Sequence, residues 1–294
     1  MHSEKTVLRL VERIDASGEL DKKAADELVL AVADARDAAG RLGCEEVMSF
    51  ATSAIRDAVN AAEVLQRVAD ETGIELRVVS GEQEAALTFL AVRRWFGWSA
   101  GRLLVLDVGG GSLEIAMGVD EDPELAVSLP LGAGRITRTR FANDPPTRSE
   151  VISTMAWLDD RLADLADQVG SVGVPDRVVA TSKTFRTLAR LTGAAPSSAG
   201  PRVSRVLTHA GLRQLIAFIS RMSSDDLAQL EGVSPSRAHQ LVAGALVAES
   251  TMRALSLESL EICPWALREG VILQRLDHSD GTQQTLLTGR RRDA

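Results

Sequence analysis

The run Asp107-Val-Gly109-Gly110-Gly111-Ser112-Leu-Glu114 carries the sharpest chemical signal in the chain. Three consecutive glycines let backbone N–H groups close on one oxyanion, and an aspartate ending an apolar run can hold a divalent cation directly or through water. That is the composition of a phosphate loop bracketed by two acids. A glycine-rich hairpin without a ligand is the plainer reading of the same residues. The loop is not of the Walker type, since no Gly-Lys dipeptide occurs in the chain, and Glu114 stands where a dinucleotide fingerprint has its third glycine. Two strand-to-helix junctions offer further anion contacts, Thr52, Ser53 and Arg56 in the first and Lys183, Thr184 and Arg186 in the second. Amides at a helix start and an arginine fork suit a phosphate, although an N-cap beside a surface arginine has the same pattern. Glu82 and Glu84 both fall in the first turn of an expected helix. Either complements the helix dipole, either could deprotonate a water for attack on phosphorus, and their spacing does not choose between them.

Composition removes several other chemistries. With Phe 6, Trp 4 and Tyr 0 there are too few rings for a base-stacking platform, and 33 Lys and Arg against 41 Asp and Glu give a net charge of −8, so nucleic acid is not expected as a partner. A polyanion must be held by local cations and amides. Cys44, Cys263 and the scattered His2, His209, His239 and His278 make no zinc spacing. Both thiols are expected to be buried, His209 and His239 to lie on helix faces, and Trp95 and Trp98 to pack between domains. The charged start and the lack of a long apolar run point to a cytoplasmic protein with no membrane association.

The elements that must position these residues alternate. Helical spacing over 22–42, stopping at Gly43, is followed by a strand from Val47 to Thr52, a helix over 61–72 opened by an Asn60/Glu63 capping box, and a strand from Glu75 to Val79. A helix then runs from about Glu82 to Arg94, and the glycine-broken segment 93–102 marks the expected domain boundary. Leu103 to Asp107, the glycine loop and Leu113 to Gly118 read as strand, turn, strand. Thr147 and Glu150 cap a helix to about Val169, Arg177 to Ala180 is a strand, and helices follow at 182–191, 208–222, 224–230, 235–255 and 266–276, with a strand at 260–263. Ala51-Thr52-Ser53 and Ala180-Thr181-Ser182 look like two copies of one unit; the copy of the glycine hairpin belonging to the first would fall before residue 1.

On the blocks ATSAIRDA, VVSGEQEAALTFLAV, LLVLDVGGGSLEIAMG, ATSKTFRTLARLTG and ALREGVIL, in that order over nearly the whole chain, the sequence resembles the exopolyphosphatase and guanosine pentaphosphatase (Ppx/GppA) family. The resemblance implies an α/β fold of two ribonuclease-H-like domains of the actin, heat-shock-ATPase and sugar-kinase superfamily, with a cleft between them. The expected divisions are 1–94, 95–278 and a polar, disordered tail at 279–294. It further implies Glu84 as catalytic base, Arg56 and Gly109, Gly110, Gly111 and Ser112 as phosphate ligands, and Asp107 with Glu114 as the acids associated with Mg2+ (or Mn2+). The expected substrate is inorganic polyphosphate, with guanosine pentaphosphate as the alternative, and a homodimer is compatible with it. Family members begin with a strand carrying an Asp-x-Gly-Ser-Asn phosphate loop, which is expected upstream of residue 1. A chain working without that loop would be a catalytically impaired binder of polyphosphate or alarmone; an actin-like nucleotide-switched scaffold is the third reading.

Overall fold

Apolar residues at helical spacing and short β-branched runs fold here into two units, Met1–Ser80 and Gly81–Ala294. The computed structural model describes residues 6–15 and 17–279. In the first unit, α1 (Lys22–Arg41), β1 (Phe50–Ala51), α2 (Ser53–Arg56), α3 (Ala61–Thr72) and β2 (Arg77–Val78) follow a 3-10 turn at Leu10–Arg13. Asp21 caps α1 by accepting from the Ala24 amide at 2.7 Å. The helix lays Ala24, Ala25, Leu28 and Val29 on a core shared with Ala51, Ile55, Val64 and Val68. β1 and β2 pair in parallel, and among the described residues they are the only sheet of this unit. The expected capping box on α3 does not form. Asn60 instead clamps Leu20, accepting from its N–H at 2.9 Å and donating to its carbonyl at 3.1 Å, because a contact 40 residues away satisfies the amide more completely than its own helix.

The second unit holds α4 (Gly81–Phe96), β3 (Leu103–Val108), β4 (Leu113–Gly118), β5 (Leu125–Leu129), α5 (Ala133–Arg140), α6 (Arg148–Leu162), α7 (Leu165–Val172) and β6 (Arg177–Thr181). It continues through α8 (Ser182–Leu191), β7 (Val206–Thr208), α9 (His209–Ile219), α10 (Ser224–Ala228), α11 (Leu241–Ala254), β8 (Ser259–Ile262) and α12 (Leu267–Ser279). The sheet order is β5-β4-β3-β6-β8-β7. β3, β4 and β5 form an antiparallel meander, and β6 and β8 extend it in parallel on the far side of β3. That is the strand order expected of a ribonuclease-H-like domain, with β7 added at one edge.

Strand alternation splits the sheet into two apolar faces. Leu104, Leu106 and Val108 join the larger core, which includes the deeply buried α11. Leu103, Val105, Ala116 and Val179 lie on the other face, against Ala85, Phe89 and Val92 of α4. α4 therefore belongs to the second unit, and the boundary falls between Ser80 and Gly81 instead of at 94/95: the apolar stripe of the helix is buried by the strands that follow it. α12 crosses α4 closely, since a Cβ on Gly270 would stand 1.9 Å from the Leu87 carbonyl oxygen.

Several local expectations change with the packing. The Thr147/Glu150 box forms as expected, but the helix it opens breaks between Leu162 and Leu165, and the helix expected from 235 begins as a 3-10 turn, Pro235–Gln240. Trp95 packs edge-on against Trp265, centroids 5.3 Å apart, inside the second unit, while Trp98 is exposed. Cys44 is exposed, because the loop after α1 leaves it outside the core; Cys263 is buried as expected, and burial pushes its thiol up to about 12. α12 extends to Ser279, and the rest of the tail expected to be disordered, 280–294, lies outside the described residues.

Candidate functional site

At the carboxyl end of β3 one transverse row of the sheet is polar. Ser128, Glu114, Asp107 and Thr181 are register partners across β5, β4, β3 and β6. They share the face on which the preceding row is Ala126, Ala116, Val105 and Val179, the face covered by α4. The first turn of α4 thus meets two carboxylates. Glu84 acts electrostatically on both Asp107 and Glu114, whereas Glu82, two residues earlier, is exposed.

The environment of each acid follows from that meeting. Burial raises the Asp107 carboxyl from 3.8 to about 7, and the charge of Glu84 pushes the same way; Arg186, Arg237 and a hydrogen bond from Ser182 oppose the rise. Glu114, 3% exposed, is also held well above the usual carboxylate range, first by burial and then by Glu84 and Asp107. Its partners are the hydroxyls of Ser112 and Ser128, the latter at 2.9 Å. The charge of Glu84 thus acts on two carboxylates at the end of the sheet.

The glycine loop turns between β3 and β4. Gly109 N–H donates to Ser112 O at 2.9 Å, and the three glycine carbonyls are taken by the start of α5: Ala133 N–H to Gly109 O at 2.9 Å, Arg135 N–H to Gly110 O at 3.0 Å, and Arg135 Nε to Gly111 O at 2.9 Å. The N–H groups of Gly110, Gly111 and Ser112 take no acceptor among the described residues, which leaves a set of donors for an oxyanion. Gly132 makes the docking of α5 possible, since a Cβ there would lie 2.3 Å from Gly111 C and Ser112 N.

The second junction contributes as well. Ser182, first residue of α8, sits at φ 81°, in the left-handed region, and its side chain reaches Asp107. Thr181 Oγ1 donates to Trp265 O at 2.7 Å, Thr184 Oγ1 to Val108 O at 2.9 Å and Arg186 Nε to Ser182 O at 3.0 Å, tying the start of α8 to the end of β3 and to the segment after β8. The first junction repeats the backbone of the second at Thr52, φ −116° and ψ −156° against −126° and −165° at Thr181. Its helix is one turn long, though, too short to offer the expected anion site through its dipole. Arg56 belongs to the first unit, where it donates to Val79 O at 3.0 Å and to Asp57 at 3.3 Å.

The fold therefore brings together Glu84, Asp107, Glu114, Ser112 and the glycines. Sequence reasoning missed Ser128, Gly132, Ser182 and Arg237. Gly132 and Gly134 around Ala133 were a visible signal for a close approach; Ser182 and Arg237 had none, because their relation to Asp107 spans 75 and 130 residues. His209 starts α9 and bonds Glu249 at 3.1 Å.

Strand order and loop define the class: an α/β protein with a glycine loop and paired acids at the end of the first strand of a ribonuclease-H-like sheet. The chain belongs to the Ppx/GppA phosphatase family, whose model matches residues 1–279. It is 62% identical to Exopolyphosphatase 1 of Mycobacterium tuberculosis over 283 residues, covering 96% of this chain and 82% of that one. A Ppx/GppA family member from Aquifex aeolicus is 26% identical with a TM-score of 0.74 over 93% of this chain and 88% of the other. An exopolyphosphatase from Cytophaga hutchinsonii, at 22% identity and TM-score 0.79 over 90% and 85%, shares the fold.

Proposed function

We propose that this chain is an exopolyphosphatase, a hydrolase that removes the terminal phosphate of inorganic polyphosphate. The observation that carries the reading is the convergence of Glu84, Asp107 and Glu114 on the glycine loop. The amides of Gly110, Gly111 and Ser112 receive oxygens of the terminal phosphoryl group. Glu84 takes a proton from a water whose oxygen attacks phosphorus; the bridging P–O bond breaks and orthophosphate leaves a chain one unit shorter.

Asp107 and Glu114 suit Mg2+ (or Mn2+): their carboxyls are forced toward neutrality first by burial and then by the charge of Glu84, with Asp107 adding to the effect on Glu114, and a dication relieves these effects. Among the described residues no three His, Cys, Asp or Glu side chains close into a complete metal cage, so the remaining ligands would be waters and substrate oxygens, the coordination Mg2+ favours. When bound, the cation supplies neutralisation of charge on the phosphoryl oxygens.

Orthophosphate release from polyphosphate and, side by side, from guanosine pentaphosphate tests the reading. Release from polyphosphate that stops in EDTA and in Asp107→Asn is expected; full release under either condition overturns the role given to the acids.

A further inference from the structure

We propose that Arg135 is a positioning residue for the reaction: its guanidinium, bonded to the Gly111 carbonyl, orients and polarises the Ser112 amide that receives the phosphoryl oxygen, an inference that rests on the activity proposed above. Each donor amide of the glycine loop is the far end of a peptide unit whose carbonyl is bonded by the start of α5. The Gly109 carbonyl, which shares its peptide unit with Gly110 N–H, accepts from Ala133 N–H at 2.9 Å. The Gly110 carbonyl, joined to Gly111 N–H, accepts from Arg135 N–H at 3.0 Å. The Gly111 carbonyl, joined to Ser112 N–H, accepts from Arg135 Nε at 2.9 Å. A bond at the carbonyl end draws electron density toward oxygen and makes the N–H at the other end a stronger donor, and a charged donor does so more than a neutral one. Because the peptide unit is planar, holding its carbonyl also fixes the direction of its N–H.

Arg135 breaks a local rule of helices to make this contact. Gly132 is the N-cap of α5, so no side chain caps the helix, and its first turn, Ala133, Gly134 and Arg135, holds no acid. Helix starts leave amides without partners inside the helix, and here the carbonyls of the glycine loop take two of them. The positive end of the helix dipole disfavours a cation, yet a half-buried arginine stands in that first turn. Its side chain supplies the bond to Gly111 O, in line with the two backbone bonds to Gly109 and Gly110. Gly132 allows the approach, since a Cβ there would lie 2.3 Å from Ser112 N. A residue that is locally unfavourable and bonded to the loop backbone is the mark of a functional position.

Amide NMR of the full chain without substrate tests the coupling and needs no turnover. Arg135→Met is expected to move the Ser112 amide proton upfield by at least about twice the shift at Gly110, whose peptide unit is bonded by Ala133. In steady-state kinetics on polyphosphate the same variant is expected to lower kcat about tenfold or more and to leave KM within about twofold, because the donor acts on charge that grows in the transition state. Arg135→Gln places a neutral N–H as far along the side chain as Nε and is expected to fall between Arg135→Met and wild type in both measurements. Both variants keep the backbone bond from residue 135 to Gly110 O, which holds α5 on the loop. Equal shifts at Ser112 and Gly110, an unmoved Ser112 amide, or an unchanged kcat in Arg135→Met overturns the proposal. Absence of phosphate release by the wild-type chain would count against the exopolyphosphatase reading, and the Ser112 shift would still decide the coupling.

Discussion

Asp107 on β3 and Glu114 on β4 stand directly opposite each other in an antiparallel pair, two carboxylates in register at the end of a buried sheet. Like charges so placed destabilise a strand pair, and burial adds to the cost. Glu84, arriving on α4, adds a further negative charge that acts on both.

The pH dependence of stability is therefore expected to run against the usual direction for an acid. The Asp107 carboxyl titrates near 3.8 when unfolded and at about 7 when folded. Between those values the folded chain keeps a proton on Asp107 that the unfolded chain has lost, so the contribution of Asp107 to stability is greatest below about pH 4 and declines toward pH 7. Melting temperature in EDTA should fall over that window in wild type and fall less in Asp107→Asn. Saturating Mg2+ should raise it more at the upper end of the window than at the lower. Parallel curves for the two proteins would rule out Asp107 as the titrating group.

Glu84→Gln should lower turnover by roughly 10² to 10⁴ while leaving binding largely intact, as loss of a general base does. Glu82→Gln should change it by less than about twofold, because Glu82 is exposed, whereas Glu84 acts on both Asp107 and Glu114. Steady-state kinetics on both variants decides the matter, and a reversed pattern would move the base to Glu82.

Gly132→Ala should damage the loop without touching any reacting group. The new methyl would overlap Gly111 and Ser112 backbone, which cannot yield as a side-chain tip does. A displacement of about 1 Å in the donors corresponds to a loss of roughly 10² in rate. Unaltered kinetics with an unaltered melting temperature would show that α5 can retreat from the loop.

Ser182 separates backbone strain from side-chain contact. Glycine at φ 81° removes a left-handed penalty of roughly 1–2 kcal/mol, and alanine keeps it, while both delete the hydrogen bond to Asp107. In urea denaturation Ser182→Gly should therefore be the more stable variant by about 1 kcal/mol. Both should raise the Asp107 titration further, visible by carboxyl-carbon NMR; an unmoved titration would mean the hydroxyl does not support that carboxylate.

Local signals in the chain were enough for much of the architecture. The 3.6-residue period over 22–42, the glycine stop at Gly73, the Thr147/Glu150 box and the strand, turn, strand around Gly109 depend on interactions within a few residues, and each appears in the fold. The Asn60/Glu63 box had the same local pattern and did not form, because Leu20 competed for the amide from 40 residues away. β5, α5 and β7 escaped notice because their runs are short or polar and gain their stability from neighbours.

By itself, then, the sequence determined the α/β order, the glycine loop between two strands and the identity of its two flanking acids, all properties of contiguous residues whose types constrain their own backbone. Tertiary structure alone decided that Glu84 and not Glu82 meets those acids, that α4 belongs with the second unit, and that Ser128, Ser182 and Arg237 attend the same carboxylates. Those relations depend on which helix face is buried and on the parity of a strand register, and both are set by packing between elements far apart in the chain.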